Sequence, residues 1–161
     1  MFKNLKFHEL SERRATETNV RQFQEEFDLR LPPAFVDFCY QYNGGYPLGA
    51  EFIVPPRFEA FHAEYPFNKG LRVDFLFGLN STIEQLAVTR KRKFFEKSST
   101  FRLLPVGEDL LGNFVVVRCD TPEGNVHWLD HEIWDASGEP YLLSIAQDLR
   151  FFYENLRSKE E

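Results

Sequence analysis

Thiol chemistry is nearly absent from this chain of 161 residues, which carries two cysteines, Cys39 and Cys119. Each sits inside an apolar run, Phe38-Cys39-Tyr40 and Val115-Val116-Val117-Arg118-Cys119. With no CxxC and no third cysteine, thiolate ligation of a metal has no basis. The two read as buried thiols that pack like small hydrophobes. Long apolar runs are missing as well. No window approaches the roughly 18 apolar residues of a membrane span, and Met1–His8 lacks the unbroken apolar stretch of a signal peptide. The expectation is a cytoplasmic protein without membrane association. An excess of basic charge is also lacking: 19 Lys and Arg stand against 25 Asp and Glu, for a net charge of −6. Nucleic-acid affinity comes mainly from counterions released by a basic surface, so a nucleic-acid partner is not expected. An acidic chain suits a basic partner.

Motifs of catalysis are missing too. There is no GxSxG, no HExxH and no GxxxxGK[ST]. Glu108 and Asp109 are adjacent carboxylates, not a pair spaced around a substrate. The sequence therefore predicts no enzyme activity, no cofactor and no metal. It shows no internal repeat, linker or low-complexity stretch.

What is present is a bulky apolar set. Apolar residues make up 43% and aromatics 16%, including 18 Phe, with 27% charged residues. This composition excludes a disordered or collagen-like chain. The length predicts one domain, 1–161, with a core that needs no disulfide or metal. Val20, Phe23 and Phe27 repeat at helical spacing, with Thr18 or Asn19 as the cap. Phe35, Phe38, Cys39 and Tyr42 give a second helix, opened by Pro32-Pro33 and closed by Asn43-Gly44-Gly45. Phe52-Ile53-Val54 reads as a short strand, Arg57–Lys69 as a loop, and Leu71–Phe77 as a half-buried strand. Ser81-Thr82-Ile83-Glu84 has capping-box spacing, which predicts a third helix to about Lys97 with Ile83, Leu86, Ala87 and Phe94 inward.

From Phe101 the pattern is extended. Phe101–Val106, Phe114–Val117 and Val126–Asp130 read as strands, joined by turns at Gly107–Gly112 and Thr121–Asn125. The β-branched run Val115-Val116-Val117 suits a strand covered on both faces. Ser137–Pro140 is a further turn. A second capping-box pattern, Ser144–Gln147, predicts a last helix carrying Ile145, Leu149, Phe152 and Leu156. Helices at both ends with grouped strands between them favour α+β.

Four short patterns occur in order: Leu31-Pro32, Asn43-Gly44-Gly45, Pro105-x-x-x-Asp109-x-x-Gly112-Asn113 and Gly124-x-Val126. Together they resemble the SUKH superfamily, which includes yeast cell-wall glucan-synthesis regulators and many bacterial immunity proteins. The resemblance spans about 19–156. It implies an α+β fold with a central, mostly antiparallel sheet flanked by about four helices. It also implies a non-catalytic protein-binding module, either an immunity protein that neutralises a cognate toxin by direct binding or a regulatory scaffold of cell-wall or envelope synthesis. Pro55–Lys69 matches no family motif, and Phe35 stands where many relatives carry Tyr. Pro32, Gly44, Gly45, Pro105, Gly112 and Asn113 read as architecture. The Asp109 carboxylate either caps its turn or faces a ligand.

The densest polar stretch is His127-Trp128-Leu129-Asp130-His131-Glu132. On a straight strand His127, Leu129 and His131 share one face and Trp128 and Asp130 the other. The two imidazoles then lie about 13 Å apart at roughly 3.3 Å per residue, too far to share an ion, and His62 is remote. Arg90-Lys91-Arg92-Lys93 reads either as cations at the C-terminal end of a helix or as a run that attracts phosphate. Tyr42, Tyr46, Phe58, Phe61, Tyr65 and Phe67 flank turns and loops, as core residues or as interface anchors. The partner site is expected at Glu108, Asp109, Trp128, Asp130, His131 and Glu132, joined by the Glu51–Tyr65 segment, since turns and strand ends carry binding residues without disturbing a core. Trp128 is either an anchor or a buried sheet residue. The expected partner is a protein, such as a basic toxin domain.

Overall fold

Helices form where the apolar spacing places them and where a side chain ties down the first turn. The computed structural model describes residue 2 and residues 4–68, 70–88, 102–120 and 124–159. Helix α1 (Glu17–Phe27) is capped by Thr16, whose hydroxyl accepts from the Asn19 N–H while the Asn19 side chain accepts from the Thr16 N–H. This is a capping box with Asn in the place of the usual Glu or Gln, so the helix begins ahead of the expected Thr18 or Asn19 cap. Asp28, with φ 48°, ends it in the left-handed region. Helix α2 (Pro33–Gln41) buries Ala34, Phe35, Phe38 and Cys39.

The chain after α2 stops turning at Asn43, which is fully buried with φ 55°. Its side-chain nitrogen donates to the Arg13 carbonyl at 3.0 Å and to Asn80 Oδ1 at 2.8 Å, and its Oδ1 accepts from the Leu79 N–H at 2.9 Å. A buried amide must find such partners, and asparagine tolerates this backbone conformation better than most residues. Gly78 lies against it so closely that a Cβ there would stand 2.1 Å from the Asn43 carbonyl oxygen.

The remaining elements follow in order: β1 (Phe7–Leu10) precedes α1, and β2 (Gly45–Pro47), β3 (Ala50–Ile53), α3 (Glu59–Glu64), β4 (Gly70–Val73), β5 (Phe75–Leu76), a single 3₁₀ turn (Glu84–Leu86), β6 (Leu103–Glu108), β7 (Phe114–Arg118), β8 (Val126–Trp134), β9 (Pro140–Ala146), α4 (Leu149–Asn155) and β10 (Arg157–Ser158) come after α2. The fold is α+β, as expected. A seven-stranded antiparallel sheet has the order β1-β2-β5-β6-β7-β8-β9, and a three-stranded one the order β10-β3-β4. Among the described residues there are four helices, and none is long and apolar enough to cross a membrane.

Alternation along the central strands separates two apolar layers. Leu104, Val106, Val115, Val117, Val126 and Trp128 face the main core, with Phe35, Phe38, Phe52, Phe61, Phe77, Phe152 and Tyr153. Leu103, Val116 and Leu129 form a second cluster on the opposite face, with Phe114 and Leu142 against it. The central strands are thus covered on both faces, as the run Val115–Val117 predicts. Aromatic rings fill much of the main core. Phe38 stacks on Tyr153 with centroids 5.1 Å apart, and Phe2 packs on Phe7, Phe38, Tyr42 and Tyr153. Both cysteines are free thiols. Cys39 is buried, and Cys119, half-buried, has its pKa pushed up to about 12 by burial.

Several expectations fail for physical reasons. The Ser144–Gln147 capping pattern is not a helix start. Pro140–Ala146 pairs with β8, and the helix begins at Leu149 under Asp148, whose carboxylate accepts from the Phe151 N–H at 2.7 Å. Leu71–Phe77 is two strands, since the chain crosses from the small sheet to the large one at Asp74. Arg57–Lys69 contains α3, too short to show a period. Ser81 opens no helix within the described residues. Its hydroxyl accepts from the Ile83 N–H two positions on, and Ala87 bridges to Gly78. The rest of that expected helix, with Phe94 and Arg90–Lys93, and the Thr121–Glu123 turn lie outside the described residues.

Removal of the Asn43 side chain leaves the Leu79 N–H buried without its acceptor and puts alanine in the left-handed region. Asn43→Ala is expected to lower stability by about 2–4 kcal/mol. Denaturant titration of both proteins checks this: an unchanged midpoint contradicts it.

Candidate functional site

The β6–β7 turn, the bent end of β8, the segment after α3 and the open side of β4 surround one cleft of about 790 Å³. The turn is built around Asp109. Its Oδ1 accepts from the N–H groups of Leu111 and Asn113, both at 2.9 Å, and its Oδ2 accepts from the Asn113 side chain at 3.0 Å. Gly112, at φ +86°, supplies the left-handed residue that the turn requires. Asp109 therefore caps its turn, and its carboxylate is consumed there. Asn113 passes the order on: its Oδ1 accepts from the His131 backbone N–H and lies 2.9 Å from His131 Nδ1.

Strand β8 loses its register beyond Leu129. There the Asp130 carboxylate accepts from the Glu132 N–H at 2.9 Å and from the Tyr65 hydroxyl at 2.7 Å. Burial, and then the adjacent Asp130 carboxylate, raise the Tyr65 pKa, so the phenol holds its proton. The bend brings Asp130, His131 and Glu132 all to the cleft, against the expectation that His131 would share the face of His127 and Leu129.

The opposite wall comes from the small sheet. Arg72 Nε donates to Asp74 Oδ1 at 2.6 Å, and Asp74 Oδ2 accepts from the Leu110 N–H at 3.0 Å. Glu51 pairs with Lys159 at 3.2 Å. The Glu51 side chain lies across Gly70, so that a Cβ there would stand 2.6 Å from its Oε1 and would require it to shift. Among the described residues the lining thus holds five carboxylates, on Glu51, Asp74, Asp109, Asp130 and Glu132, and one guanidinium, that of Arg72. Leu110 and Leu111, 66% and 76% exposed, stand at its lip, while Trp128, 4% exposed, lies beneath as a sheet residue.

Of the six residues expected to bind a partner, Asp109, Trp128, Asp130, His131 and Glu132 line this cleft together with Glu51 and Tyr65 from the expected segment. Glu108 does not line it. It is paired with Phe75 in the ladder, and its carbonyl accepts from the Asp74 N–H. Sequence reasoning missed Arg72, Asp74, Asn113 and the two leucines. Adjacent leucines at a turn tip were the available signal, since turns favour polar residues and glycine.

The other histidines are elsewhere. His62 Nε2 lies 3.2 Å from the Pro55 carbonyl. His127 is buried on the second apolar layer, with Nδ1 3.3 Å from Ser144 Oγ and Nε2 without a partner among the described residues. Burial first and nearby Arg118 second lower its pKa from 6.5 to about 4, with Asp120 opposing. Among the described residues no three His, Cys, Asp or Glu side chains stand together as a metal site.

A model of the SMI1 / KNR4 family (SUKH-1) matches residues 14–155. The chain belongs to this family. Comparison with curated proteins and with solved structures gave no match. In this SUKH-1 chain the four motifs are structural in detail. Asn43 and Asp109 organise the two buried hydrogen-bond sets described above. Gly124, at φ +64°, sits so close to Pro32 that a Cβ would lie 3.2 Å from its ring, so the first motif packs on the last.

Two measurements follow from these environments. Unfolded His127 takes up a proton near pH 6.5, while the folded one does so near 4. Its contribution is constant above pH 6.5 and turns against folding as pH falls from 6.5 to 4, by up to about 3 kcal/mol. His127→Gln is expected to show a smaller loss of stability across that window; a wild-type slope retained in the variant contradicts it. Asp109→Ala is expected to cost about 1–3 kcal/mol, because it strands buried donors, whereas Glu132→Gln stays within about 0.5 kcal/mol. Thermal unfolding of the two variants separates the turn-builder from the exposed cleft residue.

Proposed function

We propose that this SUKH-1 protein is a non-catalytic binding module, an immunity protein that acts in the cytoplasm and neutralises a cognate toxin by receiving a basic surface of it in the cleft. The reading is carried by the acidic lining beside exposed leucines: among the described residues it holds five carboxylates and one guanidinium, and Lys159 pairs with only one of the five, Glu51. Such a field attracts a cationic partner before contact, and exposed apolar side chains beside it supply desolvated contact area. The carboxylates that look most like acid–base groups are committed elsewhere: Asp109 holds its turn, and Asp130 holds Tyr65 and the Glu132 N–H. Family membership supports the same class of function.

The test is co-expression with the toxin encoded beside this chain. Growth rescue and a stable complex are expected. Glu132→Lys combined with Leu110→Ser, both at exposed positions, should keep the fold, slow association roughly tenfold and weaken rescue. Absence of rescue and complex, with several unrelated proteins captured instead, replaces this reading by that of a regulatory scaffold of envelope or cell-wall synthesis.

A further inference from the structure

The cleft contains more than charge. Among the described residues, β4 is hydrogen-bonded to a strand on one side only, that of β3. Its other edge opens into the cleft, which Gly70, Leu71 and Arg72 line in succession. The direction of the peptide groups follows from the crossover. The Asp74 N–H leaves the side away from β3 and reaches the Glu108 carbonyl at 3.0 Å. Successive residues of an antiparallel strand point their N–H and C=O groups alternately to the two sides. Arg72 and Gly70 therefore present theirs on the same side as Asp74, into the cleft. Gly70 adds no side chain of its own to the edge, and the Glu51 side chain lies over it.

An open edge of this kind is a template for another strand, and proteins normally blunt it. Here it is flanked by apolar contacts instead. Phe67, 97% exposed, adjoins the cleft residue Asn68; Leu110 and Leu111 stand at the lip; and Ile53, 56% exposed, is the ladder partner of Gly70. Four of the six large apolar side chains exposed among the described residues thus lie on or beside this one opening.

We infer that the cleft binds its partner by strand addition: an extended segment of another protein, with lysine or arginine at alternate positions, pairs with the free edge of β4. This rests on the cleft being the partner site and specifies how it is used. Main-chain bonds to Gly70 and Arg72 would give register, and side chains on one face of the added strand would meet Asp130 and Glu132. The other edge strands, β1 and β9 at the two ends of the large sheet and β10 across the small sheet from β4, contribute nothing to the cleft lining.

The test uses the isotope-labelled full chain and three short synthetic peptides. One alternates lysine with valine. The other two have the same sequence and charge but are N-methylated at every second peptide nitrogen, in each of the two registers. Strand addition predicts that the parent peptide protects the Gly70 and Arg72 amides from exchange. It also predicts that one methylated register binds at least tenfold more weakly while the other binds like the parent. Equal binding by all three with shifts in the cleft overturns strand addition and leaves the cleft as the site. Shifts confined to β1, β9 or β10 overturn both, and no binding by any peptide overturns strand addition.

Discussion

The hydrogen bonds of one fully buried side chain, Asn43, join three separate parts of the chain, and Ser11, bonded to both Gly44 and Thr82, reinforces the same junction. The Asn43 bonds fasten the end of α2 to the Arg13 carbonyl on one side and to Leu79 and Asn80 on the other. The contact also admits Gly78 against the Asn43 backbone, and Gly78 in turn exchanges bonds with the segment after the 3₁₀ turn, donating to Leu86 and accepting from Val88. Two residues upstream of Gly78 is Leu76 of β5, which joins β2 to β6. The position of β5 sets Asp74, the crossover point between the sheets, and Asp74 holds Leu110 at the lip of the cleft. The amide thus lies at the start of a chain of contacts that runs, through the ladder pairing of β5 with β2 and β6, to a site built from distant segments. An uncompensated loss in a low-dielectric interior is large, which is why so small a group can have this reach.

Much of this architecture is legible in the residues themselves. The first two helices are, because their apolar stripes coincide with start and stop signals. So is the central run Val115–Val117, whose neighbours cover both faces. The final helix was misplaced for an instructive reason. Ile145 stands at helical distance from Leu149, yet it belongs to β9, where it shares a sheet face with Leu143. Pairing with β8 outweighed a local capping pattern, as tertiary context commonly does. The split at Asp74 was hidden because a polar residue within an alternating run reads as an outward-facing position and not as a change of sheet.

The site was legible in its membership more than in its construction. A turn motif and a polar strand end named Asp109, Trp128, Asp130, His131 and Glu132, and these do converge. What the sequence cannot express is the opposite wall. Arg72 and Asp74 come from a strand far upstream and arrive there only through the crossover. Glu108 illustrates the converse: chain proximity to Asp109 did not place it in the cleft, since ladder pairing assigned it elsewhere. The loss of register in β8 likewise separates His131 from His127, which strict alternation would have kept on one face.

The division of labour around the cleft has a consequence for how such a protein can change over generations. Phe67, Leu110, Leu111 and Glu132 project from a loop, a turn and a bend, and all four are exposed. Substitution at positions of this kind seldom moves stability by more than about 0.5 kcal/mol. The residues that set the shape beneath them, Asn43, Gly78, Asp109 and Asn113, are buried and hold one another. The make-up of the rim is thereby uncoupled from foldability. Its exposed side chains can be exchanged while the frame that presents them keeps its shape.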